Sequence, residues 1–369
     1  MSAGQSSNKG PSGNGGPGPS PNRGPGNAAT GAAATGTLAP GLSLSGGHAG
    51  HGVSSAKISA DPALAFCKIP HGAPATPRRV TADKNFTREF FGNLDLVMPD
   101  GKKLRFWGFR DANGPPVFPA PLIRASEGQI VHTLLHARKR VHTIHHHAIE
   151  PDTFNDGVGH VSFEVNPRYT YQWKATTAGT YFYHCHVNTT LHFQMGMFGP
   201  LVIDPPGGPG LAFTGGPTYD VEAIWALYAA DPAYRKLSHA AGLCGGDVGL
   251  NLFNPKYFFI NGAAHPTTRT SPEVAIQAKV GQTVLLRLIA ASYGIHHITF
   301  GGLTGEVIAG DARPLPKSFM ADSIEMVTAE RYDVILRPTT PGVRTLVVEY
   351  RDWMTGALQG VAEGTLTVT

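Results

Sequence analysis

Short runs of apolar and β-branched residues, separated by turn residues, dominate the chain from residue 85 onward. Examples are LDLVM, IVHTLLHA and YTYQW in the first half, and VAIQAKV, SIEMV and RTLVVEY in the second. Runs of this length, bounded by Gly, Pro, Asn and Asp, are typical of strands. The two series have similar length and strand density, which predicts two copies of one β-sandwich rather than one large barrel.

Two segments depart from this pattern. Residues 1–60 are mainly Gly, Pro, Ser and Asn, so ordering them would cost conformational entropy without burying a core, and we predict a disordered tail. The stretch VEAIWALYAADPAYRKLSHAAG looks partly helical and is assigned to a linker. The predicted organisation is a tail (1–60), a first β domain (85–205), a linker (206–255) and a second β domain (256–369).

Composition narrows the classes of partner. The 369 residues suffice for two domains with their own cores, and the 46 glycines and 30 prolines suit a turn-rich, all-β chain. The net charge of +4 is mild and no basic stripe stands out, so nucleic acid is not an expected partner. No apolar run approaches the ~20 residues of a membrane helix. The first residues lack the basic and then apolar pattern of a signal peptide.

Cysteine usage adds one clue. The three cysteines, Cys67, Cys185 and Cys244, cannot all pair. Cys185 lies between two histidines in YHCHVNTTLHFQMGMFGP, which suggests a use other than a disulfide. A bridge between Cys67 and Cys244 stays open.

Side-chain parity divides the HCH motif between two sites. Successive side chains on a strand point to opposite faces, so His184 and His186 face one side and Cys185 the other. The same rule applies to VHTIHHHAIEPD, where His145 and His147 share a face and His142 lies opposite. Pairing of these segments is expected to bring His142 to the cysteine and the two histidine pairs together.

The first predicted site combines a thiolate, two imidazoles and a thioether: Cys185, His142, His192 and Met197. This set is typical of a blue copper centre, which carries out one-electron transfer, whereas zinc would not require the methionine. Met195 is the competing candidate for the axial position.

The second predicted site is free of thiolate and rich in imidazole: His145, His147, His184 and His186. Such a set suits copper that keeps open positions for a small substrate. The backbone of Cys185 joins the two sites directly.

These motifs resemble the multicopper oxidases and the related two-domain cupredoxin enzymes, which include small laccases and copper nitrite reductases. The resemblance covers residues 85–369 and rests on PAPLIRASEGQIV, HxxHxH, DGV, AGTYFYHCH and MGMFGPLVID, followed by FFING, VGQTVLLRLIAAS and VIAGDARPLP. It implies two cupredoxin-like Greek-key β-sandwiches. It also implies a type 1 (blue) copper at the first site and half of a type 2/type 3 copper cluster at the second.

The second half departs from the family pattern. A complete cluster takes further H-x-H pairs, yet this half offers only His296 and His297, and its closing strand carries Glu349, Tyr350 and Arg351 where ligands are expected. No catalytic residue beyond the metal ligands is expected apart from His297.

Three hypotheses follow from this departure. The leading one is an oxidase whose cluster is completed by another subunit, in a homo-oligomer that the resemblance suggests is a trimer. The second is a nitrite reductase-like enzyme with one additional copper. The third is a blue-copper electron-transfer or copper-binding protein without a catalytic site.

Under the leading hypothesis a small reducing substrate or a redox protein gives electrons near an exposed edge of His192, and dioxygen is the acceptor. Copper and thiolate chemistry suggests a periplasmic or extracellular setting.

Overall fold

The computed structural model describes residues 71–72, 81–138, 140–243 and 246–369. The predicted disordered tail, residues 1–60, lies outside the described residues, as do Cys67 and Cys244 and therefore the disulfide considered between them.

The first half of the described chain is built from short strands. They are His71–Gly72 (β1), Lys84–Val97 (β2), Lys103–Asp111 (β3), Ile123–Ser126 (β4), Ile130–His136 (β5), His145–His147 (β6), Glu164–Val165 (β7), Arg168–Lys174 (β8), Gly179–His184 (β9) and Phe198–Asp204 (β10). An α-helix, Thr189–Gln194 (α1), connects β9 to β10. No helix in the described ranges combines the length and apolar character needed to cross a membrane.

Eight of these strands form two facing sheets of four strands, in the orders β3-β2-β5-β8 and β4-β10-β9-β6, and β1 pairs with β7 in a separate two-stranded sheet. Burial alternates along β5, as expected for a strand with one face on a core. Val131, Trp173 and Ile203 are among the side chains buried between the sheets, and each such burial stabilises the fold by about 1.5–3 kcal/mol. The strands β9 and β6, which carry the predicted ligands, are neighbours.

The second half has the same plan with longer sheets. Its strands are Val221–Ala230 (β11), Tyr257–Ile260 (β12), Ala263–Ala264 (β13), Ile276–Ala278 (β14), Val284–Ala290 (β15), Ile295–Thr299 (β16), Gly305–Gly310 (β17), Arg313–Ala321 (β18), Ser323–Val327 (β19), Arg331–Leu336 (β20), Gly342–Arg351 (β21) and Leu358–Val368 (β22). Two 3-10 helices are Tyr234–Lys236 and Thr267–Arg269.

The second-half strands form a seven-stranded sheet, β13-β12-β11-β15-β20-β17-β18, and a five-stranded sheet, β14-β22-β21-β16-β19. Trp225 and Leu286 of the first sheet and Leu346 and Leu366 of the second belong to one buried core. The prediction of an all-β chain with two sandwiches is confirmed.

The helical expectation for the linker is wrong over Val221–Ala230. This segment is β11, which pairs in parallel with β15 and antiparallel with β12 in the middle of the seven-stranded sheet. Its six C-terminal residues are all buried. The apolar run therefore has the character of a strand covered on both faces, and periodicity alone does not separate such a strand from a buried helix.

Aromatic side chains join the two halves. Phe118 and Phe198 of the first half contact Tyr228 of β11, with ring centroids 5.1 and 5.4 Å apart. Phe259 of β12 adds an edge contact to Phe118 at 5.9 Å. These contacts hold the end of β11 against the first sandwich. They therefore fix the point at which the following segment begins.

A buried ionic network crosses the same boundary. Arg287 has no exposed side-chain surface and donates to Glu222 at 2.7 Å, to Asp333 at 3.1 Å and to the Thr180 hydroxyl of the first half at 3.0 Å. Arg124 of the first half donates to Glu222 at 2.6 Å. Buried charges of this kind are tolerable only while every partner is present.

We expect Asp333→Ala to destabilise the protein by about 3 kcal/mol, because it leaves part of the buried Arg287 guanidinium unpaired. Arg337→Ala is the matched control, since Arg337 pairs with Glu306 in a half-exposed bridge, and its loss should cost less than about 1 kcal/mol. Urea unfolding of both variants measures the difference. Equal losses would show that the buried network does not hold the halves together.

Candidate metal centres

The end of β9 distributes its side chains between two clusters. The strand ends at His184, but the Cys185 amide still donates to the Met197 carbonyl at 3.0 Å, so the backbone stays extended alongside β10. The Cys185 side chain faces His142 and His192. His184 faces the other way, as strand parity predicts.

The thiol of Cys185 meets two imidazoles. Its Sγ atom lies 3.6 Å from His142 Nδ1 and 3.4 Å from His192 Nδ1. The backbone of His142 is held by a bridge to Val165, and His192 is presented by α1. All three side chains have no exposed surface.

The protonation of these groups suits a bound cation. The carbonyl of His239 accepts a hydrogen bond from His192 Nε2 at 3.1 Å, which leaves the Nδ1 lone pair of a neutral ring toward the sulfur. Burial lowers the pKa of His192 to about 3 and that of His142 well below its ordinary value. Burial also raises the pKa of Cys185 to about 12. A thiolate in this neutral pocket therefore requires a metal ion.

The two methionines pack in different cores. Met197 belongs to the same buried cluster as Cys185. Met195 packs with Leu191 and Tyr234, and its sulfur lies 3.7 Å from the Arg235 guanidinium. This packing favours Met197 over Met195 as the axial ligand, and the assignment stays a prediction.

The second predicted set also converges. His145 is opposite His184 in the register between β6 and β9. The His184 ring centroid lies 5.3 Å from that of His145 and 5.7 Å from those of His147 and His186. His146 faces the other side of the sheet, with Nε2 3.0 Å from the Thr133 hydroxyl.

Backbone carbonyls orient the rings of this cluster. Asp156 O accepts from His145 Nδ1 at 2.7 Å, and Cys185 O accepts from His184 Nδ1 at 2.9 Å. Each bond leaves the lone pair of that ring on Nε2, and His147 Nδ1 lies 3.5 Å from His184 Nε2. One ligand atom from each of these three histidines lies within 4.8 Å of the others, a spacing that fits one metal ion. The pKa of His147 is lowered to about 3, chiefly by burial.

The DGV turn requires its glycine. Gly157 has φ +77°, and a Cβ atom there would lie 2.0 Å from the Ile144 carbonyl oxygen. Only glycine allows the loop to approach β6 closely enough for Asp156 to reach His145.

His296 and His297 lie apart from both groups in the described part of the chain. The His296 ring is fully buried against Tyr350, with centroids 5.1 Å apart, so it presents no nitrogen to another subunit. His297 is half-buried and is opposite Glu349 and Glu325 in the sheet register. If either residue completes a cluster across an interface, it is His297.

One histidine beside the rings of His142 and His192 was missed by the sequence prediction. The ring centroid of His239 lies 4.3 Å from that of His192 and 5.0 Å from that of His142. His239 stands alone in RKLSHAAG, within the predicted linker, and no spacing connects it to the predicted ligands.

The structure also corrects the expected exposed edge of His192. This ring is fully buried, and its outer nitrogen is covered by the His239 carbonyl. The covering segment follows β11, whose position depends on the contact between the two halves.

Comparison with known proteins identifies relatives that match most of the described chain. Two family models, both described as multicopper oxidase, match residues 98–208 and 236–367 and together cover more than half of the chain. Multicopper oxidase MmcO of Mycobacterium tuberculosis is 29% identical over 59% of this chain and 46% of its own length. A copper resistance protein A homolog of Pseudomonas syringae is 28% identical over 68% of this chain and 46% of its own.

The chain thus spans about half the length of these curated relatives. The crystal structure of a blue copper oxidase from Nitrosomonas europaea superposes with a TM-score of 0.61 and 26% identity, over 77% of this chain and 86% of that one. The expected cupredoxin-like fold is confirmed.

We expect Met197→Leu to keep the intense colour of the copper-loaded protein and to raise its reduction potential, because it removes a weak axial donor. Met195→Leu is the matched control, since that side chain packs in the other core. Redox titration followed by absorption measures both. A potential raised by Met195→Leu alone would reverse the axial assignment.

Proposed function

The chain belongs to the multicopper oxidase family, and we propose that it is a copper-dependent oxidase that transfers electrons from a reducing substrate to dioxygen. One observation carries the proposal. The short segment His184-Cys185-His186 turns a thiol toward two buried imidazoles on one side and contributes to an imidazole cluster on the other. The donor types match a one-electron site beside a site with open positions.

Two groups of residues would hold copper. The type 1 ion would bind His142, Cys185, His192 and Met197, and the type 2/type 3 site would use His145, His147, His184 and His186. When bound, copper supplies one-electron transfer and the reduction of dioxygen.

The chain's own groups prepare and connect these sites. The hydrogen bond from His184 Nδ1 to Cys185 O joins a ring of the cluster to the backbone that carries the thiol. Burial keeps His142, His147 and His192 in their neutral form, with lone pairs available at neutral pH. Because the sheet register fixes the positions of ligand side chains, these side chains would rearrange little when a bound copper ion changes its oxidation state.

Completion of the imidazole cluster is part of the proposal. We infer that a second copy of the chain supplies the remaining ligands, in a homo-oligomer with trimeric symmetry as the expected form. The division into two β domains, the first at 85–205 and the second beginning at β11 rather than at the predicted residue 256, and a periplasmic or extracellular location belong to the same proposal. Phenols, a reducing metal ion such as Cu(I), or a redox protein are the donor classes considered.

A second candidate is a blue-copper electron-transfer protein without an oxygen site. It is favoured by the separation of His296 and His297 from the histidine cluster within the described part of the chain. A nitrite reductase-like activity is the third candidate, because three converging imidazoles from His145, His147 and His184 could hold a single copper.

We expect Cys185→Ser to abolish the intense visible absorption and oxygen consumption, because a hydroxyl does not replace the thiolate as a copper ligand. Visible absorption spectroscopy of the copper-loaded protein and an oxygen electrode measure the two effects. Persistence of the red-region band in this variant would refute the type 1 assignment.

We expect His145→Ala to lower the copper content per chain while the blue absorption remains, because it removes a ligand from the imidazole cluster alone. His265→Ala is the matched control, since His265 lies on the second half beside Thr268. Metal analysis, oxygen consumption and nitrite-dependent turnover are measured together. Unchanged copper content in His145→Ala favours the electron carrier, and turnover with nitrite alone favours the reductase.

A further inference from the structure

The His192 ring is enclosed by three other aromatic rings. Its centroid lies 5.5 Å from that of Trp107, 4.3 Å from that of His239 and 5.3 Å from that of His142. Its outer nitrogen, Nε2, donates to the His239 carbonyl, so a reducing substrate has no free atom there to bond. Of the three neighbours, His142 is fully buried and His239 is 9% exposed, whereas Trp107 is half-buried. Trp107 is therefore the neighbouring ring that connects the buried imidazole to the protein surface.

The Trp107 indole is held against this imidazole. It makes an edge contact with His192 at an interplanar angle of 78° and stacks on His239 at 28°. The Trp107 amide donates to the Met195 carbonyl at 2.9 Å, directly after the helix that presents His192. Because electronic coupling decreases steeply with distance, a partly exposed ring in contact with a predicted copper ligand shortens the path that an electron must cross.

A β-bulge lies opposite Trp107. Two residues of β2, Gly92 and Asn93, face this single residue of β3. The flanking pairs in the register are Phe91 with Gly108 and Leu94 with Phe106. Gly92 is half-buried and Asn93 is exposed, and a Cβ atom at Gly92 would lie 3.6 Å from Trp107 Cδ1. The bulge therefore leaves space at the surface beside the indole, as bulges next to functional sites often do.

A second aromatic contact competes with Trp107. Phe90 is half-buried and packs on the other imidazole, His142, with centroids 3.9 Å apart and an interplanar angle of 31°. Indole has the lower ionisation energy of the two rings, so its orbitals mix more strongly with those of an electron donor and acceptor. This difference favours Trp107, and Phe90 provides the comparison for the test.

We propose that Trp107 is the residue that the electron donor contacts, and that the donor is a one-electron reductant reacting through contact alone. The donor loses one electron, which crosses the indole and the His192 ring and reduces Cu(II) to Cu(I). No bond forms or breaks, no proton moves and the indole is unchanged. The proposal rests on the proposed function, since it assumes copper at the thiol.

The test uses the full chain and its Trp107→Leu, Trp107→Phe and Gly92→Leu variants. Gly92→Leu keeps the indole but fills the space beside it. Phe90→Leu tests the competing contact, and Trp353→Leu is the matched control, since Trp353 is 60% exposed on the second half. Circular dichroism verifies folding, and electron paramagnetic resonance and redox titration verify the copper site of each variant.

The first measurement is the loss of blue absorption when hexaammineruthenium(II), a complex that does not exchange its ligands, is mixed with copper-loaded protein without dioxygen. We expect Trp107→Leu and Gly92→Leu to lower the second-order rate constant several-fold after correction for any change in reduction potential. Trp107→Phe should restore part of the rate, because it keeps an aromatic ring. Phe90→Leu and Trp353→Leu should react as the native protein does.

The second measurement needs no copper. The fluorescence of Trp107 in the metal-free chain is obtained as the difference between the native protein and Trp107→Phe. We expect iodide to quench this component, and to quench it less in Gly92→Leu, because the added side chain covers the indole. A component that iodide does not reach would overturn the proposal whatever the copper content.

An unchanged rate constant in a folded Trp107→Leu variant with the native copper spectrum would also overturn the proposal, as would a loss of rate confined to Phe90→Leu. In both cases the oxidase proposal survives if dioxygen still reoxidises the reduced protein. Absence of blue absorption from the native copper-loaded protein would refute both proposals together.

Discussion

The alternation of side chains along one extended segment is the constraint on which the candidate site depends. His184, Cys185 and His186 follow one another, so the imidazoles and the thiol leave the backbone on opposite sides. The antiparallel register with β10 continues to Cys185 through its hydrogen bond to Met197, and the register with β6 places His145 opposite His184. A shift by one residue would exchange the two donor sets and destroy both clusters.

In both clusters, the ring nitrogen that would not bind a metal donates a hydrogen bond that orients the histidine ring. Backbone carbonyls of Asp156, Cys185 and His239 accept from His145, His184 and His192 respectively, and each bond fixes the tautomer of a ring. Burial lowers the pKa of His192 to about 3, so its lone pair is not lost to protonation near neutral pH. The same burial raises the pKa of Cys185 to about 12, which makes the thiolate dependent on a bound cation.

The contact between the halves contributes to the site as well as to stability. Tyr228 of β11 packs on Phe118 and Phe198, and the network around Arg287 reaches Thr180 of β9. This arrangement carries the chain after β11 back over α1, where the carbonyl and ring of His239 meet His192. The second half therefore contributes to the pocket around His192 through the segment that follows β11. Its own His296 does not contribute, because that ring is buried against Tyr350.

The sequence by itself determined the all-β class and the partition of the histidines, because strand alternation and residue chemistry are local properties that spacing reveals. It also identified Cys185 between two donor sets and the half-cluster of imidazoles. Only the tertiary structure decided that Val221–Ala230 is a central strand, because an apolar run buried on all sides has no diagnostic period. It likewise separated Met195 from Met197 by their cores and brought the ring of His239 against that of His192, since contacts between residues distant in the chain depend on packing that no short pattern encodes.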